Sequence, residues 1–214
     1  MLNCCLFMGA SNLTQSSSLE HLIQAGGGYV THRAVVQAHL DPHLLGQAVR
    51  RGLLERLQRG VYRATTREMT SHEDLLEVSL RLPYAVVCLE SALAFHGLTT
   101  ANPKCVHLAV PRTRRVPSLE YPPLEVYHFS PPMYGYGIEH QGGFRVYRAE
   151  KTLADLLRWE KRVGLELFLE GLKRYLTRPH SRPDFESLLE AARVCKVELR
   201  MRQALEVSTF DLST

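Results

Sequence analysis

The residues best equipped for catalysis are few, and their spacing argues against an enzyme. Ser91 and His96 offer a nucleophile and a base. Ser91 lies outside any Gly-x-Ser-x-Gly elbow, the strained turn that exposes a nucleophilic hydroxyl. His96, just before Gly97, reads as a hydrogen-bonded core histidine ahead of a turn. His72-Glu73-Asp74 lacks the second histidine of a zinc-protease helix and reads as a charged first turn. Lys151 and Asp155 stand at i and i+4, the spacing of an exposed ion pair worth well under about 1 kcal/mol; a site for an anion or a partner is the alternative. A metal-dependent nuclease needs carboxylates and a lysine from adjacent strands around the ion, and Glu125, Glu139 and Arg145 do not build one. Gly26-Gly27-Gly28 lacks the Lys-Ser/Thr of a phosphate loop. Cys4, Cys5, Cys88, Cys105 and Cys195 form no CxxC pair and show no Cys/His ligand spacing. The expectation is reduced thiols in a cytoplasm, with no catalytic residues, no metal and no cofactor.

Arginine supplies the remaining chemistry. Residues 1–68 carry seven Arg and four acids, and no Lys or Arg precedes Arg33. Arg50, Arg51, Arg56, Arg59, Arg63 and Arg67 follow closely, offset up to that point only by Glu55. Clustered Arg on a small element is the footprint of a polyanionic partner; a solvated charged face is the plainer alternative. Arg112, Arg114 and Arg115 form a second group, suited to flanking phosphates, to an acidic partner or simply to solvent.

The elements that must carry these residues can be read from caps and periodicity. Ser16-Ser17-Ser18 offers N-caps before Leu19, Leu22 and Ile23, and the three glycines stop that helix. Tyr29-Val30 is extended, and Thr31 caps a helix with Ala34, Val35 and Ala38 on one side. His39-Leu40 is a turn. Asp41-Pro42 is an N-cap followed by proline at the first helical position, and the third helix runs to Arg51 and ends at Gly52. Its apolar stripe is Leu44, Leu45, Ala48 and Val49, while His43, Gln47 and Arg50 fall on the other face. Leu53–Gln58 and Val61–Ala64 read as a hairpin turning at Arg59-Gly60.

Helix, helix, turn, helix and hairpin are the layout of a winged helix-turn-helix. The third helix would read base edges in the major groove. A hairpin with Arg56, Arg59 and Arg63 would lie along phosphates or enter the minor groove. The DNA-binding set is therefore His43, Gln47, Arg50, Arg51, Arg56, Arg59 and Arg63. Docking on a protein partner is the competing use of the same fold.

Beyond a boundary near Thr65–Thr70, a buried helix is expected from Ser71 to Pro83, then a strand at Val86-Val87 and a short helix from Ser91 to His96. Strands follow at Val106–Val110 and Leu124–Phe129, and a hairpin at Ile138–Tyr147 turns on Gly142-Gly143. Tyr134-Gly135-Tyr136-Gly137 reads as an aromatic loop that packs on a domain edge or stacks bases. From Glu150 the period turns helical to the end. The fold class is α+β: residues 1–16 an extended or disordered segment, 17–68 the winged helix, and 69–214 a small sheet followed by helices. The chain of 214 residues and net charge +4 suits such a protein, and no run of about 18 apolar residues suggests a membrane span.

Several stretches together resemble a known family. They are Gly28-Tyr29-Val30-Thr31 with Arg59-Gly60-Val61-Tyr62, Glu90-Ser91-Ala92-Leu93 with His96-Gly97-Leu98, and Val106-His107-Leu108-Ala109-Val110-Pro111. Tyr147 with Lys151-Thr152-Leu153-Ala154-Asp155-Leu156-Leu157, Gly164–Leu176 and Ser187–Val194 complete the set. In this order they resemble the AbiEi family, the antitoxin and autoregulator of type IV toxin–antitoxin abortive-infection systems, across residues 18–207. The N-terminal extension departs from the family pattern. The resemblance implies a bacterial or archaeal cytoplasm and binding to repeats in the protein's own promoter. It also implies a neighbouring nucleotidyltransferase-like toxin, neutralised without a stable complex.

Overall fold

The computed structural model describes residues 5–66, 72–141, 143–179 and 182–211. They divide into two compact units, Met1–Ser71 and His72–Thr214. Arg67, Ser71 and Gly142, singled out above, lie outside the described residues.

The first unit opens with α1 (Cys5–Ala25). The segment expected to be extended or disordered is therefore helical from residue 5. No proline interrupts Cys5–Ser18, so the three serines stand inside the helix instead of capping it. The helix closes where Gly27, at φ +62°, donates to Gln24 O and Gly28 N–H donates to Ile23 O, the paired bonds of a glycine stop. Then come β1 (Tyr29–Thr31), α2 (His32–Gln37), α3 (His43–Arg50), β2 (Leu54–Gln58) and β3 (Val61–Ala64). Thr31 caps α2, its hydroxyl accepting from Ala34 N–H at 3.1 Å. The strands pair antiparallel in the order β1-β3-β2. Leu19, Val30, Val35, Leu44, Leu45, Ala48 and Leu54 form the core they share.

The second unit is an α+β layer structure. Its elements are α4 (Glu73–Arg81), β4 (Val86–Val87), α5 (Leu89–Phe95), β5 (Val106–Pro111), β6 (Leu124–Phe129), α6 (Pro131–Gly135), β7 (Ile138–Gln141) and β8 (Phe144–Tyr147). Five helices follow: α7 (Ala149–Arg158), α8 (Glu160–Val163), α9 (Leu165–Leu176), α10 (Phe185–Val194) and α11 (Glu198–Asp211). The sheet order is β6-β5-β4-β8-β7, parallel at β5/β6 and β4/β8 and antiparallel elsewhere. Strand side chains alternate between faces, and two cores result. Val87, Leu108, Val110, Phe144 and Val146 meet Leu75, Val78 and Leu82 of the α4 segment. Val86, Ala109, Tyr127, Phe129 and Tyr147 meet α5, α7, α9, α10 and α11. No described helix is long and apolar enough to cross a membrane.

Lys151 and Asp155 correct an expectation. Their pair is not exposed: both side chains have 0% accessibility, with Nζ 2.5 Å from Oδ1. Lys151 Nζ also lies 4.3 Å from the centre of the Tyr147 ring and 4.8 Å from that of Phe129, and Cys195 Sγ donates to Asp155 at 3.2 Å. The turn from β8 into α7 forces Lys151 inward between sheet and helices. The i, i+4 spacing is the same on a buried face as on an exposed one, so sequence alone did not separate them. Burial raises the Asp155 carboxyl above its ordinary value, with Lys151 opposing that shift.

His96 is the hydrogen-bonded histidine expected, its Nε2 2.7 Å from Tyr147 O. Its pKa is lowered, chiefly by burial. The unfolded chain therefore binds the proton first as pH falls. The stability tied to neutral His96 is complete above the ordinary histidine value near 6.5 and is lost as pH falls through the lower folded value.

Two outcomes follow for unfolding followed by Trp159 emission, the chain's one tryptophan and a residue of the second unit. Asp155→Ala strands a buried ammonium and should cost about 3–5 kcal/mol in denaturant titrations, whereas replacing both partners by apolar residues should cost far less. His96→Gln should flatten the fall in stability below pH 6.5; an unchanged acid limb would refute the assignment.

Candidate nucleic-acid interface

The third helix is positioned by what it buries. Asp41 Oδ1 accepts from His43 N–H at 2.8 Å, and Pro42 has helical backbone angles, so α3 starts at the expected cap. Before it, His39 at φ +56° closes α2, donating to Val36 O while Leu40 N–H reaches Val35 O. This bond pair makes the turn between the two helices. At its far end α3 stops on Gly52, at φ +70°, by the same pattern to Val49 O and Ala48 O. Leu44, Leu45 and Ala48 face the core. His43, Gln47 and Arg50 are consequently exposed together, and Arg51, the C-cap, is exposed as well. Gln47 and Arg51 also border a largely apolar groove lined by Leu19, Ile23 and Leu53.

The wing is pinned at both ends. Arg59-Gly60 makes the turn, with Gly60 at φ +80°, a conformation that favours glycine. Gly60 O accepts from His32 N–H at 2.8 Å, tying the turn to the start of α2. Thr65 Oγ1 donates to Gly52 O at 2.7 Å, tying the exit of β3 to the end of α3. Arg56 and Arg59 are exposed. Arg63 differs from them. It sits opposite Glu55 in the β2/β3 register, its guanidinium donates to that carboxylate at 2.7 Å, and its side chain is only 31% exposed. The expected wing trio is thus two outward arginines and one neutralised within the hairpin.

Arg112, Arg114 and Arg115 belong to the second unit. The loop is ordered by its backbone: Arg112 N–H donates to Phe129 O, Arg114 N–H to Pro111 O, and Tyr84 OH to Arg115 O. The three side chains are exposed, with Arg114 over the Tyr84 ring at 5.1 Å.

The rejected chemistry is dispersed. His72 packs edge-on against Phe95, with ring centres 5.1 Å apart. Glu139 pairs with Arg148, while Arg145 donates to Pro83 O and Tyr134 OH. Tyr134 falls within α6, and its hydroxyl donates to Tyr84 O, so that loop packs on its own unit. Ser91 does not meet His96. Its hydroxyl lies 3.2 Å from His107 Nδ1, a partner concealed by sequence distance. The only available signal was the two-residue spacing from Cys105, just before β5, to His107 within it, the spacing that puts two side chains of an extended chain on one side.

No curated protein matches the chain. Among solved structures, the RV2827C protein from Mycobacterium tuberculosis is similar at 16% identity, over 90% of this chain and 81% of that one, with a TM-score of 0.49. The family model described as "Transcriptional regulator, AbiEi antitoxin" matches residues 17–65, the segment of the winged helix; the resemblance drawn from the sequence runs over residues 18–207.

Proposed function

We propose that the protein is a transcriptional autorepressor that binds repeats in its own promoter, and the antitoxin of a type IV toxin–antitoxin operon. The observation that carries this reading is the joint exposure of His43, Gln47 and Arg50 on α3 beside Arg56 and Arg59 on the wing, within the segment matched to a regulator family. The helix face would enter the major groove, where Arg50 suits guanine and Gln47 suits adenine. Arg51, Arg56 and Arg59 would lie along phosphates, with Arg63 joining them on release from Glu55. In this reading the protein works in the cytoplasm and without catalysis. Its second unit would counteract a nucleotidyltransferase-like toxin without a stable complex, and Arg112, Arg114 and Arg115 would meet flanking phosphates or the toxin's acidic surface.

A second reading rests on the apolar groove beside Gln47 and Arg51. There the winged helix docks on a protein and counteracts a toxin with no specific DNA contact.

Variant binding separates the two readings. Arg50→Ala should remove about 1–3 kcal/mol of discrimination between upstream DNA of the protein's own gene and a scrambled duplex. Arg56→Ala and Arg59→Ala should weaken both duplexes alike and lower the salt slope by about one contact each. Identical behaviour of Arg50→Ala and Arg59→Ala on the two duplexes would contradict these roles. Changing Arg112, Arg114 and Arg115 together to Ala should reduce either DNA affinity or protection from the toxin; a variant unchanged in both assays excludes the loop.

A further inference from the structure

The second unit gathers soft and hard metal ligands at one point. Cys105 and His107 lie two residues apart on one face of the β5 segment, and Glu125 of β6 is the register partner of His107. Cys105 Sγ, a His107 ring nitrogen and a Glu125 carboxylate oxygen all lie within 4.8 Å of one another. Individually, His107 Nε2 is 3.4 Å from Glu125 Oε2 and 4.0 Å from Cys105 Sγ, and Sγ is 3.9 Å from the same Oε2. Glu90 of α5 brings a fourth donor, with Oε2 3.8 Å from His107 Nε2.

The surrounding groups aim these atoms inward. Ser91 Oγ accepts from His107 N–H at 3.0 Å and donates its one proton to Cys105 O at 3.3 Å. The contact at 3.2 Å engages the other ring nitrogen, Nδ1. With Nδ1–H donated to Ser91, the tautomer that metal binding at Nε2 requires, the Nε2 lone pair would face the cluster. Fixing a ligand histidine through its other nitrogen is the usual support of a metal site. Glu125 is divided in the same way. Its Oε1 accepts from Tyr127 OH at 2.8 Å and from Arg162 at 2.9 Å, leaving Oε2 turned toward sulfur and imidazole.

We propose that Cys105, His107 and Glu125, completed by Glu90, bind a divalent metal ion of the zinc class. A zinc ion with bonds of about 2.0 Å to nitrogen and oxygen and about 2.3 Å to sulfur implies tetrahedral edges of about 3.3 Å for N–O and about 3.5 Å for those to sulfur. The His107–Glu125 edge is already close to that length, and the His107–Glu90 edge and the sulfur edges would close by about half an ångström. Charge fits as well: one thiolate and two carboxylates beside the Arg162 guanidinium leave two negative charges for a divalent ion to balance. A thiolate and an imidazole favour zinc over magnesium or calcium, which take oxygen ligands. The ion would join α5, β5 and β6, a structural clamp on the edge of the sheet. Sequence spacing hid the site because its ligands are set by strand pairing and not by a CxxC or HxxxH interval.

The test uses the full chain with Cys4→Ser and Cys5→Ser, stripped with chelator and titrated with Co2+ and then Zn2+. The expected result is one Co2+ per chain, with thiolate-to-cobalt charge transfer and tetrahedral absorption, displaced by Zn2+. Cys105→Ser should abolish the charge-transfer band, and Glu125→Gln, at a partly exposed position that keeps its tyrosine bond, should weaken binding at least tenfold. Ser91→Ala should weaken it about 10- to 100-fold through the orientation of His107. Absence of Co2+ binding, or a Cys105→Ser spectrum equal to that of the parent with native circular dichroism, would overturn the proposal.

Discussion

The N-terminal unit depends on the pairing of β3 with both of its neighbours. This central strand holds β1 on one side and β2 on the other, so the wing cannot shift without dislodging the strand that leads into α2. Two further bonds tie the hairpin to the helices, from His32 to the turn carbonyl and from Thr65 to Gly52 O. The position of Arg59 is thereby coupled to that of α3. One small apolar core fixes the rotation of the helix, because Leu44, Leu45 and Ala48 must all face it. A polar exposed face is the geometric complement of that burial. In the function proposed above, a rigid relation between helix and wing would let two separate contacts act on one duplex without a large ordering cost on binding.

The second unit solves a different problem. Its sheet is covered on both faces, yet Lys151 and Asp155 sit at full depth with their charges paired between Tyr147, Phe129 and Cys195. Such a pair seldom adds net stability over apolar packing, but it tolerates no partial loss. It ties the start of α7 to the strand it follows and, through Cys195, to the end of α10. The same helix-facing side of the sheet carries His107 and Glu125, held by Ser91, Tyr127 and Arg162. Polar chemistry in this unit is therefore placed by strand register and helix packing, whereas Arg50, Arg51, Arg56 and Arg59 of the first unit project outward from a minimal scaffold.

Legibility in the sequence follows the range of the interactions. Thr31, Asp41-Pro42, Gly52 and Gly60 act within a few residues, and they located α2, α3 and the hairpin closely. The face carrying His43, Gln47 and Arg50 follows from helical period alone. Three features depend on distant partners and did not follow. The Arg63–Glu55 pair needs the β2/β3 register. The depth of Lys151 needs the packing of α7 between the sheet and the other helices. Cys105, His107 and Glu125 converge because β5 and β6 run parallel in one particular register, and Ser91 reaches them from α5. The first three turns of α1 were missed for another reason, since a serine-rich stretch favours caps by propensity but does not forbid helix.

The central claim is sequence-specific DNA binding by the α3 face and the wing. Fluorescence anisotropy with labelled DNA from directly upstream of the protein's own gene, set against a scrambled duplex of equal length over a series of salt concentrations, tests it most directly. The account predicts tighter binding to the upstream fragment by at least about a thousandfold, the lower range for specific over non-specific recognition, persisting near physiological salt. Equal, weak binding to both duplexes that vanishes as salt rises would contradict it and leave only a basic surface.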